Sequence, residues 1–380
     1  MVTKHLVAAL VAGAAVAASY AQAGEAGSDF YSQLTQQDEF VEPAGFFSSG
    51  GGCADCCGDC CSDGCGSDCC GSDCCELGCC DTGCYGVCLP AAVFYAGFEA
   101  VFVKPRFEEN VAFTVMEANG ASFESFSDSE FDFDLEFTPR VFLGWRQGDG
   151  VGLRATWWRL DSATAAASAN PPTNGFGLIT HPAFGTVDIS SEIQTDLFTA
   201  TADLEAYSID LEATKETSFY GWRLGVAGGV RYARAEQGYV AELLNGGGQR
   251  RGLIDYRQSI DGIGPTISLA ASRPFHNSIN LFCKARASVL LGDGESRLTA
   301  IEDADLSTPF DTTRTTGRDD LLSISELQVG FRWQADSGRT YRPFLSAALE
   351  GQVWNGAGNA TSEDGTLGLF GFNTGVGMDW

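Results

Sequence analysis

Fourteen of the chain's fifteen cysteines fall between Cys53 and Cys88, in the run CADCCGDCCSDGCGSDCCGSDCCELGCCDTGCYGVC. They are Cys53, Cys56, Cys57, Cys60, Cys61, Cys65, Cys69, Cys70, Cys74, Cys75, Cys79, Cys80, Cys84 and Cys88. Thiols at this density do one of two things: they oxidise to disulfides or they hold soft metal ions as thiolates. The Gly, Asp and Ser between them leave almost nothing apolar to bury, so the segment builds no core without cross-links or metal. In an exported chain, disulfides within the segment or between molecules are the expected outcome. The CxxC pairs Cys53/Cys56 and Cys57/Cys60 have metal-ligand spacing, which keeps a soft metal as the alternative. The segment has no histidine and no clean repeated unit. Adjacent cysteines seldom pair with each other, so the bridges would reach elsewhere, to sister chains or to the wall. No other cofactor is expected.

Catalytic chemistry has little to work with. Beyond the N-terminal leader only His181 and His276 remain. His276 sits in RPFHNS, a predicted tight turn. His181, with Asp188 and Asp196, could activate a water, but no nucleophile accompanies it, and the chain is read as a non-enzyme. Asp and Glu outnumber Lys and Arg by 50 to 23, a net charge of −27, which argues against a nucleic-acid partner.

The remaining charges are ordered by a strict alternation, clearest from Glu130 to Asp161, EFDFDLEFTPRVFLGWRQGDGVGLRATWWRLD. Phe131, Phe133, Leu135 and Phe137 alternate with Asp132, Asp134, Glu136 and Thr138, and a Gln-Gly-Asp-Gly turn leads into a second alternating run. Period-2 alternation gives a strand one apolar and one polar face, and two such runs about a Gly-rich turn make a hairpin. The first run is far longer than a soluble strand of about five or six residues. A transmembrane β-barrel supplies the apolar surround and wet interior that such a ribbon needs.

Ten segments follow the pattern: 93–104, 130–146, 151–160, 203–214, 218–235, 253–272, 278–292, 320–335, 340–354 and 368–380. Connections 147–150, 215–217, 273–277 and 336–339 are short. Connections 105–129, 161–202, 236–252, 293–319 and 355–367 are longer, and the two kinds alternate along the chain. Outer-membrane barrels show this asymmetry, with tight periplasmic turns and long external loops. The expected fold is therefore all-β: an antiparallel transmembrane β-barrel of about 10–12 strands over residues 93–380.

With the apolar parity facing lipid, the other parity lines the lumen. It carries Glu99, Asp132, Asp134, Glu136, Arg140, Arg154, Asp210, Glu212, Arg223, Arg231, Lys284, Arg286, Glu326, Arg332, Arg342 and Glu350. Asp132, Asp134 and Glu136 are expected to form an acidic ladder facing arginines across the lumen. Trp145, Tyr220, Trp222, Trp333, Tyr341 and Trp380 are expected in a periplasmic aromatic girdle, with Trp157, Tyr232, Tyr256 and Trp354 at the opposite interface. Outer-membrane lipid is the partner of the outer face. The alternating last strand, LGLFGFNTGVGMDW, has the form of the signal that barrels present to their assembly machinery.

Residues 1–23 read as a cleaved signal peptide: Lys4 and His5, an apolar run over Leu6–Ala18, then Ala21-Gln22-Ala23. Residues 24–52 read as a flexible linker, and 53–88 as the Cys-rich segment. The protein is expected in the bacterial outer membrane.

FDFDLEFTPRVFLGWR, GDGVGLRATWW and FNTGVGMDW together resemble the pore-forming outer-membrane proteins of the Legionella major outer-membrane protein type, over Val93–Trp380. The Cys53–Cys88 block departs from that pattern. The resemblance implies a porin-like role in passive diffusion of small solutes or ions. The alternative is a mostly filled barrel that anchors a cross-linking or metal-binding arm. Barrels of about 8 strands are filled by side chains and those of 16–18 are open, so strand count alone decides nothing here.

Overall fold

Lipid outside and water at both ends impose different demands along one strand, and the longest strands meet both. The computed structural model describes residues 92–380 apart from 120–121, 173–175, 183–188, 277, 303–309 and 336–340. The expected signal peptide, linker and Cys-rich segment lie outside the described residues. The elements in order are β1 (Val93–Phe107), β2 (Val111–Asn119), β3 (Ser122–Glu130), β4 (Glu136–Arg146), β5 (Val151–Ala163), β6 (Ala167–Ala169), β7 (Phe176–Thr180), β8 (Ser190–Ser191), β9 (Leu197–Phe219), β10 (Trp222–Leu244), β11 (Arg250–His276), β12 (Ile279–Glu302), β13 (Phe310–Gln334), β14 (Arg342–Asn355) and β15 (Thr366–Asp379).

Ten of these form one closed antiparallel ring, β1-β4-β5-β9-β10-β11-β12-β13-β14-β15 and back to β1. Phe94 and Trp380 exchange both backbone hydrogen bonds at 2.8 Å, sealing the first strand to the last. The ring leaves no open edge, as a chain in hydrocarbon requires. At the β9–β10 turn Tyr220 and Gly221 both have positive φ, 48° and 77°, the signature of the type I′ turn that suits the strand twist.

Strands β9 to β13 run 23 to 27 residues, whereas a membrane crossing takes about 9–11. Their faces exchange character part-way. On β9 the outward residues Ile209 and Leu211 are apolar and exposed, and the inward Ser208, Asp210 and Glu212 are buried. Nearer its start, outward residues are Thr199, Thr201, Asp203 and Glu205, and inward ones are Phe198, Ala200, Ala202, Leu204 and Ala206. β12 repeats the exchange: Val289 and Leu291 point out beside inward Arg286 and Ser288, then Asp293, Glu295 and Arg297 point out over inward Leu298 and Ala300. Leu291 is 70% exposed, a position only lipid makes favourable. The apolar-out half is the membrane band, and the apolar-in half stands in water beyond it with a core of its own.

That core holds Trp158, Leu204, Tyr239, Ile254, Leu290 and Trp354. A small sheet ordered β3-β2-β7-β8 accompanies it. Phe113 packs edge-on to Phe198 and Phe131 to Tyr239, each with ring centroids 5.8 Å apart. Tyr239 Oη donates to the Ala112 carbonyl at 2.7 Å. Gln237 Nε2 donates to the carbonyl of Ala357 at 2.8 Å, which ties the 356–365 segment to the same interior.

Four expectations are corrected. The strand expected from 130 begins at Glu136, and Phe131 and Phe133 turn inward while Asp132 and Asp134 are exposed. The parity slips at Asp134-Leu135, where no strand geometry carries it through. Segments 236–252 and 293–319 are largely strand rather than loop, because β10, β11, β12 and β13 extend into them. Tyr256 and Trp354 are buried core residues instead of interface aromatics.

Candidate functional site in the barrel lumen

At the level of the lipid band, inward side chains meet across the barrel as a charged belt. Arg231 Nε donates to Asp210 Oδ1 at 2.5 Å and its Nη2 to Asp210 Oδ2 at 3.0 Å. The same Nη2 lies 2.8 Å from Glu326 Oε1. Arg286 reaches Asp210 at 2.9 Å, Glu212 at 3.0 Å and Glu326 at 3.4 Å. Arg154 donates twice to Glu212, at 3.0 and 2.7 Å, and reaches Ser268 Oγ at 3.3 Å. Arg140 bridges Glu99, at 2.9 Å, and Glu350. Glu350 also accepts from Gln328, Gln352 and Asn373 at 3.1, 2.8 and 2.7 Å. Every one of the ten ring strands contributes a group to this network.

Composition explains why the belt closes. Arg140, Arg154, Arg231 and Arg286 face Glu99, Asp210, Glu212, Glu326 and Glu350, four arginines bridging five carboxylates. Arginine's planar fork holds two carboxylates in fixed directions, where a lysine ammonium would act as a point charge without that geometry. The pairing is incomplete at three atoms: Glu212 Oε1, Arg231 Nη1 and Arg286 Nε are buried without a protein partner. A ten-stranded barrel thus has room for the groups but not for full satisfaction among them.

Above the belt the path meets aromatic side chains. Trp158 and Trp354 have centroids 5.8 Å apart. Their indole N–H groups donate to Thr138 Oγ1 and Gln352 Oε1 at 3.1 and 3.0 Å. Below it, toward the short turns, lies a cavity of about 230 Å³ lined by residues including Arg223, Lys284 and Arg332.

A profile of the family described as Legionella pneumophila major outer membrane protein precursor matches residues 88–340. The chain belongs to this family. It is an outer-membrane β-barrel protein. No curated protein matches the chain. Among solved structures, the outer-membrane protease OmpT of Escherichia coli is similar at 13% identity and a TM-score of 0.37, over 77% of this chain and 97% of that one. A major outer membrane protein from Thermus thermophilus is similar at 11% and 0.30, over 76% and 100%. OprG of Pseudomonas aeruginosa is similar at 9% and 0.25, over 76% and 96%. Likenesses this distant say nothing of what this member of the Legionella family moves or cleaves.

The structure sorts the sixteen lumen candidates of this family member into four groups. Glu99, Arg140, Arg154, Asp210, Glu212, Arg231, Arg286, Glu326 and Glu350 share the belt. Arg223, Lys284 and Arg332 line the cavity beneath it. Arg342 is exposed at the start of β14, opposite Asp379, and Glu136 is half-buried with Ser162 Oγ 3.5 Å away. Asp132 and Asp134 do not line the lumen: the parity slip turns them outward, and Asp132 pairs with Lys104 at 2.7 Å. Trp145, Tyr220, Trp222, Trp333, Tyr341 and Trp380 all stand at the short-turn end, and Arg273 lies over the Trp222 ring at 5.4 Å. His181 is buried with Nδ1 against the Pro182 carbonyl. Asp196 is bound to Ser191 at 2.7 Å and Arg251 at 3.1 Å. Sequence reasoning missed Gln328, Gln352, Asn373 and Ser268. Their signal was available, since each is a polar residue of inward parity within the lipid band.

Proposed function

We propose that the protein is a narrow outer-membrane channel for ions or small polar solutes, closed by the charged belt in the conformation described. The observation that carries this reading is the belt itself. Buried ion pairs are a poor way to fill a barrel, because apolar side chains of equal volume are often as stabilising or more so. The three unsatisfied belt atoms add cost without adding stability. Both features make sense where water and ions enter when the pairs part. Reconstitution in a planar bilayer tests it. Small stepwise currents are expected, larger when Arg231 is replaced by Met. A folded barrel that stays silent in both forms sinks the proposal.

A second reading has its own observation. The apolar core above the belt, with Trp354 fully buried, suits a filled barrel serving as an anchor. On that reading lipid holds the outer face, the assembly machinery engages the last strand, and the Cys-rich arm cross-links to sister chains or wall or holds soft metal. Reduction-sensitive oligomers from a non-conducting barrel support it. Neither reading makes the protein an enzyme.

A further inference from the structure

We propose that the cavity beneath the belt is a binding site for a small polyvalent oxyanion, bearing carboxylate or phosphate groups. The chain carries a net charge of −27, yet six cations and three carboxylates line this cavity. Arg140 and Arg154 are engaged by the belt. Arg146 pairs with Glu216 at 2.6 Å, and Arg332 lies 3.7 Å from Asp379. Lys284 and Arg223 make no ion pair within 4 Å among the described residues, and Glu99 and Glu212 act on Lys284 only from farther away. Arg223 is exposed at the short-turn end and Lys284 is half-buried beside the belt, so the two stand at different depths of one space.

Three further features point to an oxyanion. Arg332 Nε is a buried donor with no protein acceptor. Its guanidinium lies 3.5 Å from the Phe344 ring centroid, and a stacked guanidinium presents its N–H edge in a fixed plane that suits carboxylate or phosphate oxygens. Neutral donors, Asn280, Ser272 and Ser346, are also part of the lining. The volume, about 230 Å³, is below the roughly 300–1,000 Å³ of sites for drug-sized ligands, so the ligand is compact. A half-buried ammonium with no direct ion pair, beside Arg154 and Arg286, is unfavourable, and a bound anion supplies the missing contact.

The site stands whether or not the belt ever opens, because filling it needs access from one side only. The test is calorimetric titration of the folded full-length protein in neutral detergent with citrate, inorganic phosphate, glycerol and spermidine. Citrate is expected to bind saturably and glycerol and spermidine not to bind. Lys284→Gln is expected to weaken citrate by about tenfold, the scale of one charge-assisted contact, and Arg223→Gln by a smaller factor. Added NaCl weakens binding further. Neither substitution orphans a carboxylate, so both variants keep their thermal midpoint, measured alongside, and Lys284→Arg retains binding. No saturable citrate heat from folded protein overturns the proposal, as does binding unmoved by both Gln variants. A silent bilayer trace bears only on the channel.

Discussion

Replacing Arg231 by Met tests the belt at its most enclosed point. The Arg231 side chain has no solvent exposure, and Asp210 and Glu326 have 1% and 10%. Breaking a buried pair by removing one partner costs about 3–5 kcal/mol, because the other charge is left uncompensated. Here Arg286 still reaches both carboxylates, at 2.9 and 3.4 Å. The expected loss is therefore at the lower end, about 3 kcal/mol, or roughly a hundredfold in the folding equilibrium. Urea unfolding of lipid-reconstituted protein, followed by tryptophan fluorescence, measures it. Asp210→Asn in the Arg231→Met background removes the carboxylate that Arg231 paired, so the pair of substitutions is less harmful than the sum by at least about 1.5 kcal/mol. A loss under about 0.5 kcal/mol, or simple additivity, would show that the belt charges are solvated rather than paired.

Ile267→Arg and Ser259→Arg lie on the same face of β11, one within the lipid band and one beyond it. The first is expected to cost about 2–4 kcal/mol and the second almost nothing, by lipid-based folding titration; equal costs would refute the exchange of faces. Trp354→Ala removes a fully buried ring from the core above the belt, with an expected loss of about 3–5 kcal/mol on urea unfolding. Asp132→Asn is expected to leave bilayer current and its ion selectivity unchanged, whereas an acidic lumen ladder would weaken cation preference. Lys104 hydrogen-bonds the Asp132 carboxylate and holds its pKa below the usual range. That contact is present above the ordinary carboxylate pKa and lost as pH falls through the lowered value; a titration of Asp132 followed by NMR, unmoved by Lys104→Met, would contradict it.

The ring was legible because each membrane crossing keeps one parity for about ten residues. All ten expected segments became ring strands, and the short connections fell at one end. The exchange of faces was not legible as such. At Asp293 the outward parity turns charged while Leu298 and Ala300 occupy the inward one. Alternation about a single parity therefore reads as ending, although the strand continues into water. The same change of solvent hid Tyr256 and Trp354. Their parity is inward in both halves, but a reading that expects aromatics at strand ends to face lipid headgroups puts them outside. Phe131 and Phe133 went wrong by another route: a five-residue break before β4 shifts the phase, and no turn residue in FDFDLEF announces it.

Placing the belt against the lipid band ties its stability to its opening. Asp210 lies between outward Ile209 and Leu211, Arg231 follows outward Val230, and Glu350 follows outward Leu349. Each charge is separated from hydrocarbon by the thickness of one strand, where salt screens little. An unpaired charge there has no water or counter-ion to turn to unless the lumen itself admits them. Bridging of the five carboxylates by the four arginines is thus a condition for a dry, closed belt, and removal of one arginine breaks it. A substitution that weakens folding at the belt, such as Arg231→Met, should then also admit water and carry more current. A variant that loses stability there without gaining conductance would separate the two and leave the belt as packing alone.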